Sequence, residues 1–286
     1  MKNVKIRLGG VPEHFNLPIH LAKEKGIFSS RGVDLEWTDF GGGTGQMTKA
    51  LRNDEVDACI LLTEGMITDI IKGNPSKIIS AYVTTPLTWG IHTGVNNPLM
   101  NYRDIFSKQY AISRFGSGSH LMAIVDADSK GHKIKEDQFT IIKDIDGALP
   151  SLDQMETDVF YWEKYTTKPF VDEGKLRRIG EYNTPWPCFV IAATDKILKE
   201  HPDTIVRMLR TIHDECDNFM HDNSMIQLVS ERYNQKTKDV ARWYNSTEWA
   251  IHGWVGEKMM KSVIYHLQTA NIIKEDEEIP ELVWKR

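Results

Sequence analysis

Residues 4–37, VKIRLGGVPEHFNLPIHLAKEKGIFSSRGVDLEW, change their hydrophobic period twice. Val4, Ile6 and Leu8 alternate with polar residues, the two-residue period of a half-buried strand, and Gly9-Gly10 breaks the run. After the loop VPEHFN a helix begins with Pro18 near its first position, where the missing N–H costs nothing, and stops at Gly26. Gly32 to Trp37 then returns to alternation through Val33, Leu35 and Trp37. One strand, one ligand-sized loop, one helix and a second strand make a βαβ unit.

The pattern repeats outward from there. The loop DFGGGTG leads into a helix bearing Met47, Ala50 and Leu51, and VDACILL is a continuous apolar run suited to a strand buried on both faces. It passes through Thr63-Glu64-Gly65 into a helix with Ile67, Ile70 and Ile71, and KIISAYV closes this half near residue 84. Strands alternating with helices across short loops predict a parallel sheet covered by helices. In such sheets ligands sit beyond the carboxyl ends of the strands, here the loops VPEHFN, DFGGGTG and LTEG.

Past TTPLTWGIHTGV the alternation resumes with QYAIS, the turn RFGSGSH, and a helix bearing Leu121, Ile124 and Val125. The strands FTIIKDI and TDVFYWE follow, LRRIGEY and CFVIAAT run back, and from Asp195 the pattern is almost wholly helical to about residue 273. Periodic sets there are Ile205, Met208, Leu209 and Ile212, then Met259, Val263, Ile264 and Leu267. Pro86, Pro185 and Pro187 punctuate the chain near 85–92 and 183–192, which predicts hinges between two lobes.

The 286 residues suit two domains or one large one. A net charge of -5 without any dense run of Lys and Arg argues against nucleic acid or anionic lipid as partner. No window approaches eighteen uncharged apolar residues, so no membrane insertion is expected. Cys59, Cys188 and Cys216, odd in number and without metal-site spacing, read as buried thiols. The histidines show no paired metal spacing, and neither a metal nor a cofactor is expected. MKNVKIRLGG passes straight into a strand with no apolar core or cleavage site, which reads as cytoplasmic rather than as a secretion signal. A mature exported chain with its leader removed and a new Met1 reads the same way.

With these loops placed, the chain resembles the type II periplasmic-binding-protein-like superfamily. Within it, it is similar to the branch that holds taurine- and alkanesulfonate-binding proteins together with the fungal synthase of the thiamine pyrimidine precursor. The resemblance rests on LGGVPEHFNLPIHLAKEKGIFSSRGVDLEW, ALRNDEVDACILLTEGM, YAISRFGSGSHLMA and DVFYWE, in the family's order and spacing, over residues 4–270. It implies an α/β protein of two lobes with two crossings and a helical C-terminal third. Lobe I is expected over 1–88 and 190–286, lobe II over 89–189. The lobes are expected to close by hinge motion on a small organic molecule. The chain departs from the synthase at two places. Leu61 and Gly65 align with its lysine and histidine, and NTPWPCFVIAAT keeps only Cys188 of a cysteine-dense run.

The candidate binding residues follow from the loops. Glu13, His14 and Asn16 lie in the first, where Asn16 also suits a helix cap and His14 a solvent-facing position. Gly43 and Thr44 lie in the second; its glycines lack the Lys-Ser/Thr of a phosphate loop and suit close approach to a ligand or a tight turn. Thr63 and Glu64 end the third strand. In the second lobe Ser117, Gly118 and Ser119 open a helix whose free N–H groups suit an anion or a carbonyl, with helix capping by Ser117 or Ser119 as the local alternative. Arg114 suits a ligand anion or a surface ion pair. Glu163 pairs with Glu64 as a second strand-end carboxylate. Trp89, Trp162 and Trp186 suit a flat ring or the core. Trp243, Trp249 and Trp254 read as helix packing, with a partner surface as the alternative. Two functions remain open on this reading. One is non-catalytic binding or sensing of a small polar ligand, heteroaromatic or sulfonate- or phosphate-like, with an ABC-type permease as partner only if the chain is exported. The other is an enzyme of thiamine-precursor synthesis using Glu13, His14 or Glu64 as acid–base groups.

Overall fold

The computed structural model describes residues 3–285. The chain divides into two compact units. Unit 1 comprises 1–85, 186–264 and 276–286, and unit 2 comprises 86–185 and 265–275. The segment Tyr265–Glu275 thus groups with unit 2, where the sequence places it with the first lobe.

In unit 1, β1 (Val4–Gly10) buries Ile6 and Leu8 completely and turns Lys5 outward, as its alternation requires. It leads to α1 (Leu17–Glu24), with Pro18 in its first turn, and to α2 (Ile27–Ser30), entered through Gly26 at φ 69°. β2 (Val33–Asp39), α3 (Gly43–Arg52), β3 (Ala58–Leu62), α4 (Thr63–Ile71) and β4 (Ser76–Val83) complete the first half. Met47, Ala50 and Leu51 form the buried stripe of α3, and Ile67, Ile70 and Ile71 that of α4.

Unit 2 is built from β5 (Thr88–Gly94), β6 (Tyr110–Ile112), α5 (Gly118–Ser129), β7 (Phe139–Ile141), α6 (Ile145–Asp153), β8 (Val159–Glu163), α7 (Lys168–Asp172) and β9 (Leu176–Asn183). Its strands lie in the order β7-β6-β8-β5-β9, with β6 parallel to β7 and β8, and β5 antiparallel to β8 and β9. Ala111, Ala148, Leu152, Phe160 and Leu176 form a core between this sheet and α6. Asp126 of α5 is fully buried and satisfied, because the hydroxyls of Tyr102 and Tyr161 each donate to its carboxylate at 2.5 Å.

The chain then returns to unit 1 as β10 (Phe189–Thr194), which enters antiparallel between β3 and β4 and gives the order β2-β1-β3-β10-β4. α8 (Asp195–Glu200), α9 (Pro202–Met220), α10 (Ser224–Arg232) and α11 (Thr237–Tyr244) follow, and α12 (Glu257–Thr269) starts in unit 1 and ends in unit 2. α9 buries Ile205, Met208, Leu209, Ile212, Cys216 and Phe219 along one face.

The C-terminal third is not continuously helical. Between α11 and α12 the chain crosses beside β4, where Trp249 bridges Val83, and the tail makes a second bridge from Val283 to Ile78. These bridges hydrogen-bond an edge that β4 would otherwise leave open. Helix packing therefore describes only part of the tryptophan cluster. Trp243 is on α11, Trp249 is in the crossing, and Trp254 is 78% exposed. Among the described residues, no helix is long and apolar enough to cross a membrane, and no group of three or more His, Cys, Asp or Glu could hold a metal ion.

Candidate functional site

The carboxyl ends of β1, β2 and β3 lie along one edge of the sheet of unit 1. Two glycines end β1 because the rings over it leave no room for a Cβ. One built on Gly9 would stand 2.4 Å from Phe40, and one on Gly10 2.5 Å from Trp37. Beyond them His14–Asn16 form a single 3-10 turn that is wholly buried. Its middle residue is an anchor. The Phe15 ring stacks on Phe189 at 4.2 Å, and its carbonyl accepts hydrogen bonds from the Tyr82 hydroxyl and the Trp249 indole, each at 3.0 Å.

Asn16 does not cap α1, as its position in the sequence suggests. Its Nδ2 donates to the Val11 carbonyl at 2.8 Å and its Oδ1 is buried with no hydrogen-bond partner. The loop folds back on itself, so the amide meets the loop carbonyl before it can reach the helix N–H groups. His14 is not solvent-facing either. It is 7% exposed, its ring lies 4.0 Å from Trp243 and 5.9 Å from Tyr233, both edge-on, and its Nε2 is buried without a partner. Burial pushes its pKa down to about 4, so the ring is neutral. Glu13 is half-buried and opens the turn with extended backbone.

At the end of β3, Glu64 sits in the first turn of α4 and is 3% exposed. The Trp186 indole donates to its Oε2 at 2.9 Å, while Oε1 is buried with no hydrogen-bond partner. Burial pushes the carboxyl up to about 7, against the smaller pull of its own backbone N–H and of Trp186. Its neighbour Thr63 is structural. The hydroxyl donates to the Pro187 carbonyl at 2.6 Å and the N–H to Cys188 at 3.0 Å, which ties the start of α4 to the returning chain. Thr44 accepts from the Leu62 N–H at 3.2 Å and joins α3 to β3. Gly43, at φ 65°, opens α3 with nothing within reach of a Cβ.

In unit 2 the glycine-serine turn is occupied by its own bonds. Ser117 caps α5 by accepting from the His120 N–H, Ser119 accepts from the Ser113 N–H at 3.0 Å, and the two hydroxyls are 3.0 Å apart. Gly116 donates to His120 Nδ1 at 3.1 Å. Gly118 is the first residue of α5, and Arg114 is exposed. Glu163 ends β8 directly opposite Trp89 of β5, and its Oε2 accepts from the Thr166 N–H and hydroxyl at 2.6 and 2.9 Å. Burial raises its carboxyl above the usual range against those bonds. Trp89 is buried with its Nε1 lacking a partner. Trp162 stacks on Phe160 at 5.1 Å, against the core.

The structure thus brings His14, Asn16, Glu64 and Trp186 to one edge of unit 1. Three residues beside it, Trp243, Tyr233 and Phe15, were not among the sequence candidates. The aromatic density of RWYNSTEWAIHGW is a signal for Trp243, and no pattern in the sequence points to Tyr233 or Phe15. The positions aligned with the synthase's lysine and histidine lie in packed surroundings. Leu61 is fully buried, and a Cβ on Gly65 would stand 2.4 Å from the Thr44 methyl.

No curated protein resembles the chain closely enough in sequence to count as a match. Residues 89–182 match the model of the Ca3427-like PBP family. Among solved structures, the Candida albicans CA3427 gene product, described as having the generic periplasmic binding protein fold, is similar at 25% identity. Its TM-score is 0.89, with 96% of this chain and 93% of that one covered. The alkanesulfonate-binding protein SsuA of Xanthomonas axonopodis pv. citri, solved bound to MOPS, matches at 13% identity and a TM-score of 0.80 over 99% of each chain. The periplasmic aliphatic sulphonate binding protein SsuA of Escherichia coli matches at 15% identity and a TM-score of 0.76, covering 98% of this chain and 92% of that one. The chain has the periplasmic-binding-protein fold and resembles the branch that holds CA3427 and the alkanesulfonate-binding proteins.

Proposed function

We propose that this protein binds a small polar organic molecule, heteroaromatic or sulfonate-like, in a non-catalytic solute-binding or sensing role. One observation carries the reading. His14 Nε2, Asn16 Oδ1 and Glu64 Oε1 are buried at one strand-end edge of unit 1 with no hydrogen-bond partner. A buried polar atom without a partner costs about 1–3 kcal/mol, and three gathered where α/β sheets take their ligands suit a molecule that completes them. The surrounding Phe15, Trp186, Tyr233 and Trp243 add flat apolar surface. The fold supports the same reading, since the similar SsuA proteins are named for sulfonates. Under this proposal the chain works in the cytoplasm, and a partnership with an ABC-type permease follows only if it is exported.

A thermal-shift screen of aminated heteroaromatics, sulfonates and phosphates tests it. A ligand at a hundredfold its Kd adds about 2.7 kcal/mol, which raises the Tm by roughly 5 °C or more in a chain of this size. No stabilisation by any compound overturns the reading.

A further inference from the structure

We propose that the binding edge of unit 1 selects a flat ligand by the hydrogen bonds that ligand donates, an amine, amidine or N–H heteroaromatic, and rejects oxyanions. This rests on the ligand-binding reading above and goes further by fixing the polarity of the ligand.

The orientation of each group decides the polarity. Asn16 Nδ2 is committed to the Val11 carbonyl at 2.8 Å. Flipping the amide would set two oxygens against each other, so the atom left over is the acceptor Oδ1. Glu64 Oε2 is committed to the Trp186 indole, which leaves Oε1, again an oxygen. Neutral His14 adds a ring nitrogen that takes either role. Asn16 Oδ1 is an acceptor at every pH, and Glu64 Oε1 is one whenever the carboxyl is ionised, as it is above about pH 7 or beside a bound cation. In that state both call for N–H groups.

Charge points the same way. Segments 9–17, 38–46, 61–66 and 186–189, which form or adjoin this edge, contain Glu13, Asp39 and Glu64 and no Lys or Arg. The arginines that flank Tyr233 and Trp243 are paired with carboxylates, Arg232 with Glu24 at 2.6 Å and Arg242 with Asp239 at 3.9 Å. An oxyanion would ordinarily be received at the N-terminus of a helix such as α4, where free N–H groups and the dipole favour negative charge. Glu64 stands in that first turn with its own carboxylate, and the Thr63 hydroxyl beside it is spent on Pro187. A sulfonate brought here would meet a buried carboxyl and find no cation among these segments. An amidinium or aminopyridine ring would meet two acceptors and edge-on or stacked aromatic surfaces.

The test compares one ring carrying opposite ends. Benzamidine and benzenesulfonate, each at millimolar concentration, are titrated against the full chain by thermal shift and by ligand-observed NMR, with 4-aminopyridine and methanesulfonate as a second pair. The expected result is stabilisation by benzamidine and 4-aminopyridine and none by the sulfonates. Glu64→Gln keeps the acceptor for Trp186 and turns the spare oxygen into a donor, and should weaken benzamidine about tenfold or more. If that variant does not fold, the wild-type pair still decides. Stabilisation by benzenesulfonate without benzamidine overturns the donor selectivity and leaves the binding reading standing. Absence of any benzamidine effect also overturns it, and silence from every compound of the wider screen takes the binding reading with it.

Discussion

The loop after β1 in unit 1 and the turn before α5 in unit 2 occupy the same kind of position, at the carboxyl end of a parallel strand, yet they treat their polar groups in opposite ways. In VPEHFN, Asn16 Oδ1 and His14 Nε2 are buried and unpartnered. In RFGSGSH, the Ser117 and Ser119 hydroxyls are bonded to N–H groups of the same turn and to each other. The difference comes from reach. A serine hydroxyl stays beside its own backbone and satisfies local N–H groups first. A buried amide, imidazole or carboxyl held against aromatic rings finds its partner only if the fold provides one. The turn that looks most like a ligand seat in sequence is therefore the better satisfied of the two.

Substitutions separate the two loops, beginning with the anchor of the unit 1 loop. Phe15→Ala removes the ring stacked on Phe189 and should cost about 3–5 kcal/mol in chemical denaturation. A loss under about 1 kcal/mol would show that this ring does not hold the turn in place.

Next is the pH dependence set by Glu64. Its native pKa of about 7 lies above the ordinary carboxyl value of 4.5. Below 4.5 both states are protonated and no difference exists. As pH rises through 4.5 to 7 the unfolded chain sheds its proton first, so native stability falls, and above 7 the loss is complete at about 3 kcal/mol. Glu64→Gln removes this term, so its stability relative to wild type should rise by about that amount between pH 4 and pH 8. His14, His92, His120 and His213, all pushed down to about 4 by burial, act in the other direction, losing stability as pH falls below 6.5. They act on both proteins alike and cancel in the difference. A gap that does not change with pH would mean that Glu64 is not desolvated.

The smallest effects belong to the serine turn. Ser119→Ala strands the Ser113 N–H and should cost about 2 kcal/mol, and Ser117→Ala removes a helix cap worth about 1 kcal/mol. Neutral outcomes for both would contradict the claim that these hydroxyls hold their own turn.

Much of the architecture is legible in the amino-acid order. Val4, Ile6 and Leu8 for β1, Met47, Ala50 and Leu51 for α3, and Ile205, Met208, Leu209 and Ile212 for α9 follow from periodicity, because burial of a face repeats at the period of the backbone. The absence of Lys and Arg from the strand-end loops of unit 1 was legible too, although its meaning depended on knowing that these loops share an edge. Less legible was the end of the chain. Trp249 and Val283 bridge β4 without any alternation to announce them.

The candidate site divides along the same line. Glu64 and Trp186 were each suspected from their place beside a strand or a proline, but their hydrogen bond joins residues 122 positions apart. Nothing in either segment specifies the other. The amino-acid order determined which residues form strands and helices, which faces are apolar and where charge is missing, since these depend on neighbours within a turn or two. Only tertiary structure decided that β10 lies between β3 and β4, that Phe15 is pinned by Tyr82 and Trp249, and which polar atoms are left without partners. A hydrogen bond is satisfied or orphaned by what the rest of the chain brings to it, and that is a property of the folded packing.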